Sequence, residues 1–258
     1  MKLLKLNNPF GAPIYHEETV SSTFDLARIL AGQNEPHGTV ITADFQEAGR
    51  GRLNRPWVTE RGKSLMFTII LRYTGASSMP VALTLRTGLA VSLAIEDLAP
   101  ALAGGSVQIK WPNDVMINGR KAAGILTEAD GKNVYIGVGV NVAQEKFSEQ
   151  YRSKAGSIIH SFPALSENAR FDLLERILFR LYAEIGKQTA ESRAWRERLL
   201  MRLYKKGETV TFAEGAADSD DLVEGILSGL GPGGELLIIP RGEEKERSFI
   251  TGELRVYH

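Results

Sequence analysis

Short blocks of apolar residues alternate with polar and glycine-rich segments over the first two thirds of the chain. Apolar runs rich in β-branched and aromatic residues predict strands at residues 40–45, 64–72, 107–110, 122–128 and 134–142. The Ala- and Leu-rich segment 81–103 predicts a helix that stops at the pair Gly104-Gly105. Asn118-Gly119 stands between two apolar runs, which favours a hairpin.

Three further segments have a helical pattern. Ser21-Ser22-Thr23 can cap a short helix that runs to Gly32. Residues 166–186 carry apolar side chains at three- and four-residue steps, at Phe171, Leu174, Leu178 and Leu181. Residues 192–204 predict a last helix, because Lys205-Lys206-Gly207 is typical of a helix C-terminus.

The residue pattern changes after Gly207 from helical to β-prone. Short β-prone segments separated by glycines follow at residues 209–212, 222–227, 235–239, 247–250 and 253–257. The sequence therefore predicts an α+β unit over residues 1–204 and a small all-β unit over residues 205–258.

Composition narrows the class of protein. In 258 residues, 43% are hydrophobic and 24% charged, which is typical of a globular protein. The 31 basic and 31 acidic residues balance, which disfavours bulk binding to nucleic acid. Cysteine is absent, so thiol nucleophiles, disulfides and Cys-bound metals are excluded, and four scattered histidines offer no metal pair. The longest apolar run, within residues 65–71, is too short for a membrane span, and we expect a cytoplasmic protein.

Charge is patterned although it sums to zero. Residues 49–63 carry five basic side chains and one acidic one, whereas residues 213–224 carry five acidic and no basic ones. The acidic stretch is interpreted as a solvated loop, with no assigned task.

The basic stretch overlaps the segment QEAGRGRLNRPW at residues 46–57. Gly49 and Gly51 let a backbone approach a ligand closely, and arginine offers a fork of donors for carboxylates and phosphates. A solvated surface loop and a nucleic-acid contact are both alternatives. The pattern favours a clamp for small anions.

Two more segments carry candidate chemistry. KWPND at residues 110–114 combines a stacking face at Trp111 with hydrogen-bonding side chains, although a structural turn is an alternative. GRKAAGILTE at residues 119–128 places Lys121 before small residues that permit close approach, although a solvated lysine is the alternative. Glycines at 137 and 139 then precede Asn141.

These segments, in this order, resemble the biotin protein ligase family (biotin–[acetyl-CoA-carboxylase] ligase). The family pattern GRGRxxRxW stands at residues 49–57, KWPND at 110–114, RKxxGIL at 120–126 and GxGxN at 137–141; the Ser-Thr pair stands at 22–23. The resemblance spans about residues 15–257. It implies a mixed-sheet catalytic domain flanked by helices and a small C-terminal β-barrel.

The implied reaction activates biotin with ATP, accompanied by Mg²⁺, to biotinyl-5′-AMP. A lysine on the biotin carboxyl carrier domain of a carboxylase then accepts the biotin, with no protein nucleophile. The resemblance implies catalytic roles for Arg50, Arg52, Asp114 and Lys121. It implies biotin contacts from Ser22, Thr23, Gln46, Arg50, Gly51, Arg52, Lys121 and Gly124. It implies ATP contacts from Arg52, Arg55, Trp57, Lys110, Asn113 and Asn141. No residue is assigned as a metal ligand, and Asp114 is left to orient either the acceptor lysine or a magnesium.

The chain departs from the family pattern at two positions. Phe24 stands where relatives often have Asn, and Asn54 stands where many have Gly. The motifs begin near residue 15, which leaves no room for a helix-turn-helix module before them, so we expect no operator binding and no nucleic-acid partner. A membrane partner is not expected either, and a homodimer is an expectation drawn from the resemblance alone. A lipoate or octanoate ligase or transferase, and a nucleic-acid-binding protein, are the alternative functions.

Overall fold

The protein is described by a computed structural model that covers residues 1–75, 78–185, 194–215 and 221–255. Its described residues form an eight-stranded sheet and a five-stranded sheet with α-helices beside them. The helices are α1 (Thr23–Gly32), α2 (Leu83–Leu98), α3 (Ile158–Ser161), α4 (Ala169–Ile185) and α5 (Trp195–Leu200).

The first sheet is mixed. Its strand order is β1-β2-β3-β4-β8-β7-β6-β5, in which β2 and β3 run parallel and every other pair is antiparallel. The strands are β1 (Lys2–Leu3), β2 (Ile14–Glu17), β3 (Val40–Ala43), β4 (Ser64–Arg72), β5 (Val107–Lys110), β6 (Asp114–Ile117), β7 (Arg120–Ala129) and β8 (Asn133–Asn141). The predicted α+β class with a mixed sheet is confirmed.

Strand β4 lies in the middle of this sheet, which explains its nearly continuous apolar sequence. Phe67 and Ile69 pack with α2 and α4 on one face, whereas Ile70 packs with α1 on the other. Helix α1 is short, so it covers only part of its face. The uncovered part of that face, near Met66, is the floor of a cavity.

Three predicted helices are shorter than expected. The predicted helix 81–103 ends at Leu98, because the residue before Pro100 is driven into an extended conformation. The predicted helix 192–204 spans only Trp195–Leu200, and residues 192–193 lie outside the described residues. The segment after it pairs with the edge of β5 instead: Ile109 donates to the Arg202 carbonyl at 2.7 Å, and Tyr204 donates to the Ile109 carbonyl at 2.9 Å. The predicted helix 166–186 begins three residues later, and residue 186 is outside the described part.

The second sheet is antiparallel, with the order β12-β11-β10-β9-β13. All five strands contribute to one core that includes Phe212, Leu227, Ile238, Phe249 and Leu254. The strands are β9 (Thr209–Glu214), β10 (Leu222–Leu230), β11 (Leu236–Pro240), β12 (Arg247–Phe249) and β13 (Gly252–Arg255). A small all-β unit after the α+β unit is therefore confirmed. Residues 216–220 of the acidic stretch and the predicted strand end at 256–257 lie outside the described residues.

The two sheets share a hydrophobic core. Trp111 lies 5.9 Å from Phe212 between ring centroids, and its Nε1 donates to the Gly234 carbonyl at 2.9 Å. Leu85 and Leu89 of α2 belong to the same cluster. The C-terminal sheet is therefore packed directly behind the KWPND segment, and residues 204 and 205 remain the predicted boundary.

Candidate active site

A cavity of about 110 Å³, open to solvent, lies where the three sequence motifs meet. It is bounded by the α1 N-terminus, the loop after Phe45, parts of β4, β7 and β8, the segment that joins β5 to β6, and one residue of β13. Of the residues assigned from the sequence, all but Asn141 line it: Ser22, Thr23, Gln46, Arg50, Gly51, Arg52, Arg55, Trp57, Lys110, Asn113, Asp114, Lys121 and Gly124.

Glycines on β7 and β8 leave space at the floor of this cavity for two aromatic rings. A Cβ added at Gly139 would lie 2.5 Å from Cε2 of Trp57, and one at Gly137 would lie 2.1 Å from Cε2 of Phe24. A Cβ at Gly124 would meet the same indole at 3.2 Å. Real Cβ contacts are longer than the first two distances, so these glycines let Trp57 and Phe24 lie flat against the sheet.

One end of the cavity presents a small hydrogen-bonding group. The amide and the hydroxyl of Thr23 donate to Oε1 of Gln46 at 2.8 and 3.0 Å, and Thr68 donates to the Thr23 hydroxyl at 2.9 Å. Ser22 caps α1, because its Oγ accepts from the Phe24 amide at 3.2 Å. Because Ser22 is the N-cap of α1, Thr23 is the first residue of the helix, and there its amide and hydroxyl are within hydrogen-bond distance of Gln46.

Residues 49–57 fold back on themselves over the cavity as a narrow hairpin, called here the arginine loop. Gly51 donates to the Arg55 carbonyl at 2.8 Å, and Trp57 donates to the Gly49 carbonyl at 2.9 Å. Leu53 and Asn54 turn the tip with φ of 56° and 55°, a left-handed conformation that asparagine tolerates better than leucine. The turn therefore accepts Asn54 in place of the family's glycine.

Most basic side chains that line the cavity form an ion pair with a carboxylate of the same chain. Arg50 pairs with Asp25 at 3.1 Å, Arg55 with Glu253 at 3.0 Å, and Lys121 with Asp114 at 2.7 Å. Arg52 instead donates to the neutral side-chain oxygen of Asn113 at 3.3 Å. Its positive charge is therefore the least compensated in the arginine loop.

Lys110 lies beneath these pairs and is only 5% exposed. Burial lowers the pKa of its ammonium group, while the nearby carboxylates of Asp114 and Glu253 act in the opposite direction. A buried cation beside an anion site is stabilised when a negative ligand enters.

Asn141 is the assigned residue that the cavity does not contain. Its side chain is buried and donates to the Gly156 carbonyl at 3.0 Å. Gly156 in turn donates to the Lys121 carbonyl at 2.9 Å, and Lys121 donates to the Lys154 carbonyl at 2.8 Å. In this arrangement Asn141 supports the backbone of Lys121 from outside the cavity lining.

The described residues contain no cluster of three or more His, Asp or Glu side chains that could hold a metal ion. The carboxylates lining the cavity are Asp114 and Glu253, and each is engaged by a cation. This donor set fits a magnesium that arrives with phosphate and water ligands and takes one carboxylate.

Four residues at or beside the site were not assigned a role from the sequence. Glu253 belongs to β13, 198 positions from Arg55, and no motif surrounds it. Met66 was predicted only as part of a buried strand, yet its sulfur accepts from Gln46 Nε2 at 3.4 Å. Asp25 and Phe24 follow the Ser-Thr pair, and the sequence signal for Phe24 was its departure from the family pattern.

Comparison with known proteins assigns this chain to a family. Residues 18–141 match the model of the biotin/lipoate A/B protein ligase family. A biotin–[acetyl-CoA-carboxylase] ligase from Paracoccus denitrificans is 32% identical over 200 residues, covering 72% of this chain and 79% of that protein. The chain belongs to this ligase family.

Other members of the biotin/lipoate ligase family extend the comparison. The bifunctional ligase/repressor BirA of Bacillus spizizenii is 39% identical over 155 residues, which cover 57% of this chain but only 46% of the relative. The chain thus spans about half of that protein's length. The structure of biotin protein ligase from Aquifex aeolicus in complex with biotin and ATP superposes with a TM-score of 0.75 at 26% identity, covering 94% of this chain and 97% of that one.

The length and polarity of the helices decide whether any of them could span a membrane. Within the described ranges, every helix is too short or too polar to cross a bilayer.

Proposed function

We propose that this protein is an ATP-dependent biotin–[acetyl-CoA-carboxylase] ligase that carries out protein biotinylation. The observation that carries the proposal is the convergence, in one cavity, of the Thr23–Gln46 hydrogen-bonding end with the cations Arg52 and Lys121. The first group suits the polar ring of biotin, and the second suits a carboxylate and a phosphate held side by side.

In the first step, a carboxylate oxygen of biotin attacks the α-phosphorus of ATP. A new phosphorus–oxygen bond forms, the bond to the bridging oxygen breaks, and pyrophosphate leaves with its electron pair. In the second step, the neutral amine of the acceptor lysine attacks the activated carbonyl, AMP leaves, and the nitrogen loses a proton.

The cations are needed because both reactants are anions. Two unit charges brought to about 4 Å repel by about 4 kcal/mol at an effective dielectric of 20. Lys121 and Arg52 offset this repulsion by donating to the oxygens where negative charge develops. Positioning of the two reactants in one cavity supplies the rest of the rate enhancement.

We assign biotin to the end of the cavity at Ser22, Thr23, Gln46, Gly51 and Gly124, and we assign Arg50 to holding the loop that covers this end. We assign the nucleotide to the side formed by Arg52, Arg55, Trp57, Lys110 and Asn113, with Asn141 as an indirect support. Mg²⁺ would neutralise triphosphate charge, and Asp114 is the lining carboxylate nearest to Lys121 that could take part in holding it.

The proposed partner is the biotin carboxyl carrier domain of a biotin-dependent carboxylase, because the proposed acceptor is a lysine presented on a folded surface. We propose a cytoplasmic location and no nucleic-acid or membrane partner, in keeping with the balanced charge of the chain. A homodimer is retained as a proposal from family likeness.

Biotin-dependent exchange of labelled pyrophosphate into ATP tests the proposed function. We expect exchange that requires biotin and Mg²⁺, followed by labelling of a carrier domain. Exchange with lipoate or octanoate but not with biotin would favour the alternative ligase. Salt-sensitive binding to a polynucleotide without any exchange would favour the nucleic-acid-binding alternative.

A further inference from the structure

Arg50, the first arginine of the arginine loop, is held by two adjacent residues of helix α1. Its Nη1 donates to Oδ1 of Asp25 at 3.1 Å, and its guanidinium carbon lies 5.8 Å from the centroid of the Phe24 ring. The carboxylate and the ring face together fix both the charge and the plane of the guanidinium.

Phe24 and Asp25 together form a binding seat for the Arg50 side chain, called here the Arg50 seat. The position of this seat is fixed by the first sheet and by helix α1. The Phe24 ring is 3% exposed and lies over Gly137, where a Cβ would come within 2.1 Å of it. Asp25 is in the first turn of α1, where the helix N-terminus favours a negative charge. Both residues follow directly after Thr23, which contacts Gln46.

Each of the two limbs of the arginine loop is therefore held by an ion pair to another element of the fold. The first limb, at Arg50, is held to α1; the second limb, at Arg55, is held to Glu253 of β13. Because Asp25 compensates the charge of Arg50, the role of Arg50 in this arrangement is to fix the loop, and the less compensated Arg52 is left for an anion.

We propose that Phe24 and Asp25 are positioning residues for the ligase reaction: acting through Arg50, they hold the arginine loop closed over the activated intermediate. This inference rests on the proposed function. It predicts that weakening the seat opens the loop and lets the adenylate escape, with little change in the binding of free biotin.

Asp25→Asn is the main test variant, since it keeps the shape of the side chain and removes its charge. Two measurements are compared with the native chain: amide hydrogen exchange of residues 49–57 without ligand, and the rate at which preformed biotinyl-adenylate is released. We expect faster exchange and roughly two- to fivefold faster release, as befits a half-exposed ion pair. Asp25→Glu should restore both values, and Phe24→Leu should act in the same direction as Asp25→Asn.

A matched control is available on the same helix. Arg28 of α1 pairs with Glu128 of β7, away from the arginine loop, so Glu128→Gln should leave loop exchange and adenylate release unchanged. Combining Asp25→Asn with Arg50→Gln tests whether Asp25 acts through Arg50, in which case the double variant releases adenylate no faster than Arg50→Gln alone.

The inference is overturned if Asp25→Asn leaves both loop exchange and release at native values, or if its effect is undiminished in the Arg50→Gln background. Failure of the native protein to form any adenylate would instead contradict the proposed function. The ligand-free exchange experiment would still decide whether the seat holds the loop. Melting temperatures of all variants identify any that act by unfolding.

Discussion

The ammonium group of Lys121 lies 2.7 Å from Oδ1 of Asp114, across the adjacent strands β7 and β6. Both side chains line the cavity, so an entering anion meets a lysine whose position is already fixed. We predict that Lys121→Ala slows adenylate formation by about 10²- to 10³-fold, the usual cost of removing one preorganised donor to a developing charge. Single-turnover formation of biotinyl-adenylate measures this rate.

The control for this experiment is Lys132→Ala, which removes an exposed lysine on the β7–β8 turn outside the cavity. Its rate should equal the native one. A native rate for Lys121→Ala with an unchanged melting temperature would remove Lys121 from the proposed chemistry.

Arg52 is the arginine of the loop that holds a neutral partner. We predict that Arg52→Ala accelerates adenylate release roughly 10- to 150-fold, as expected for loss of a hydrogen bond to a charged group worth about 1.5–3 kcal/mol. Binding of free biotin should change much less, because the Thr23–Gln46 end of the cavity is untouched. Equal losses in adenylate retention and biotin affinity, measured by dissociation kinetics and calorimetry, would contradict the assigned role.

The floor of the cavity provides a steric prediction. Gly139→Ala would place a Cβ 2.5 Å from the Trp57 indole, so the ring must leave its site on the face of β7 and β8. We predict weaker ligand binding together with an altered emission spectrum, because Trp57 would become more exposed. Gly32→Ala is the matched control: its Cβ meets no atom within 4 Å, and both properties should remain native.

We predict that the buried Lys110 makes ligand binding depend on pH. Burial lowers the pKa of its ammonium below the ordinary 10.5, and a negative ligand beside it raises that pKa again. In the pH range just below 10.5 the free protein therefore binds fewer protons at this site than the complex does, so binding is accompanied by proton uptake.

Calorimetry with a hydrolysis-resistant adenylate analogue, repeated at pH 9 in buffers of different ionisation enthalpy, measures this uptake. We expect greater uptake at pH 9 than at pH 7, and its loss in Lys110→Met. Equal uptake in the native protein and in Lys110→Met would assign the proton to another group.

Local sequence signals predicted much of the fold and most of the cavity wall. Strands β4 and β5 lie where their apolar runs predicted them, and Ser22 caps α1 as its residue type indicated. The motif residues meet because the hairpin at Asn118-Gly119 brings Asp114 opposite Gly124. Each of these features depends on neighbours in sequence or on one turn.

Contacts between distant segments were not predictable in the same way. The pairing of residues 202–204 with the edge of β5 overrides a reasonable helical pattern, since unpaired strand groups there need partners. Nothing in the sequence around Glu253 indicates that it reaches Arg55. The packing of Phe24 on Gly137 likewise requires knowing that α1 lies across β8.

The bond between Arg55 and Glu253 sets an order of events during protein synthesis. Since 198 positions separate the two residues, the loop emerges from the ribosome long before its distal anchor exists. A nascent chain halted before residue 253 would carry every motif but would lack the ion pair between Arg55 and Glu253. The contact that joins the second limb of the loop to the C-terminal sheet therefore forms only after strand β13 has been translated and has docked.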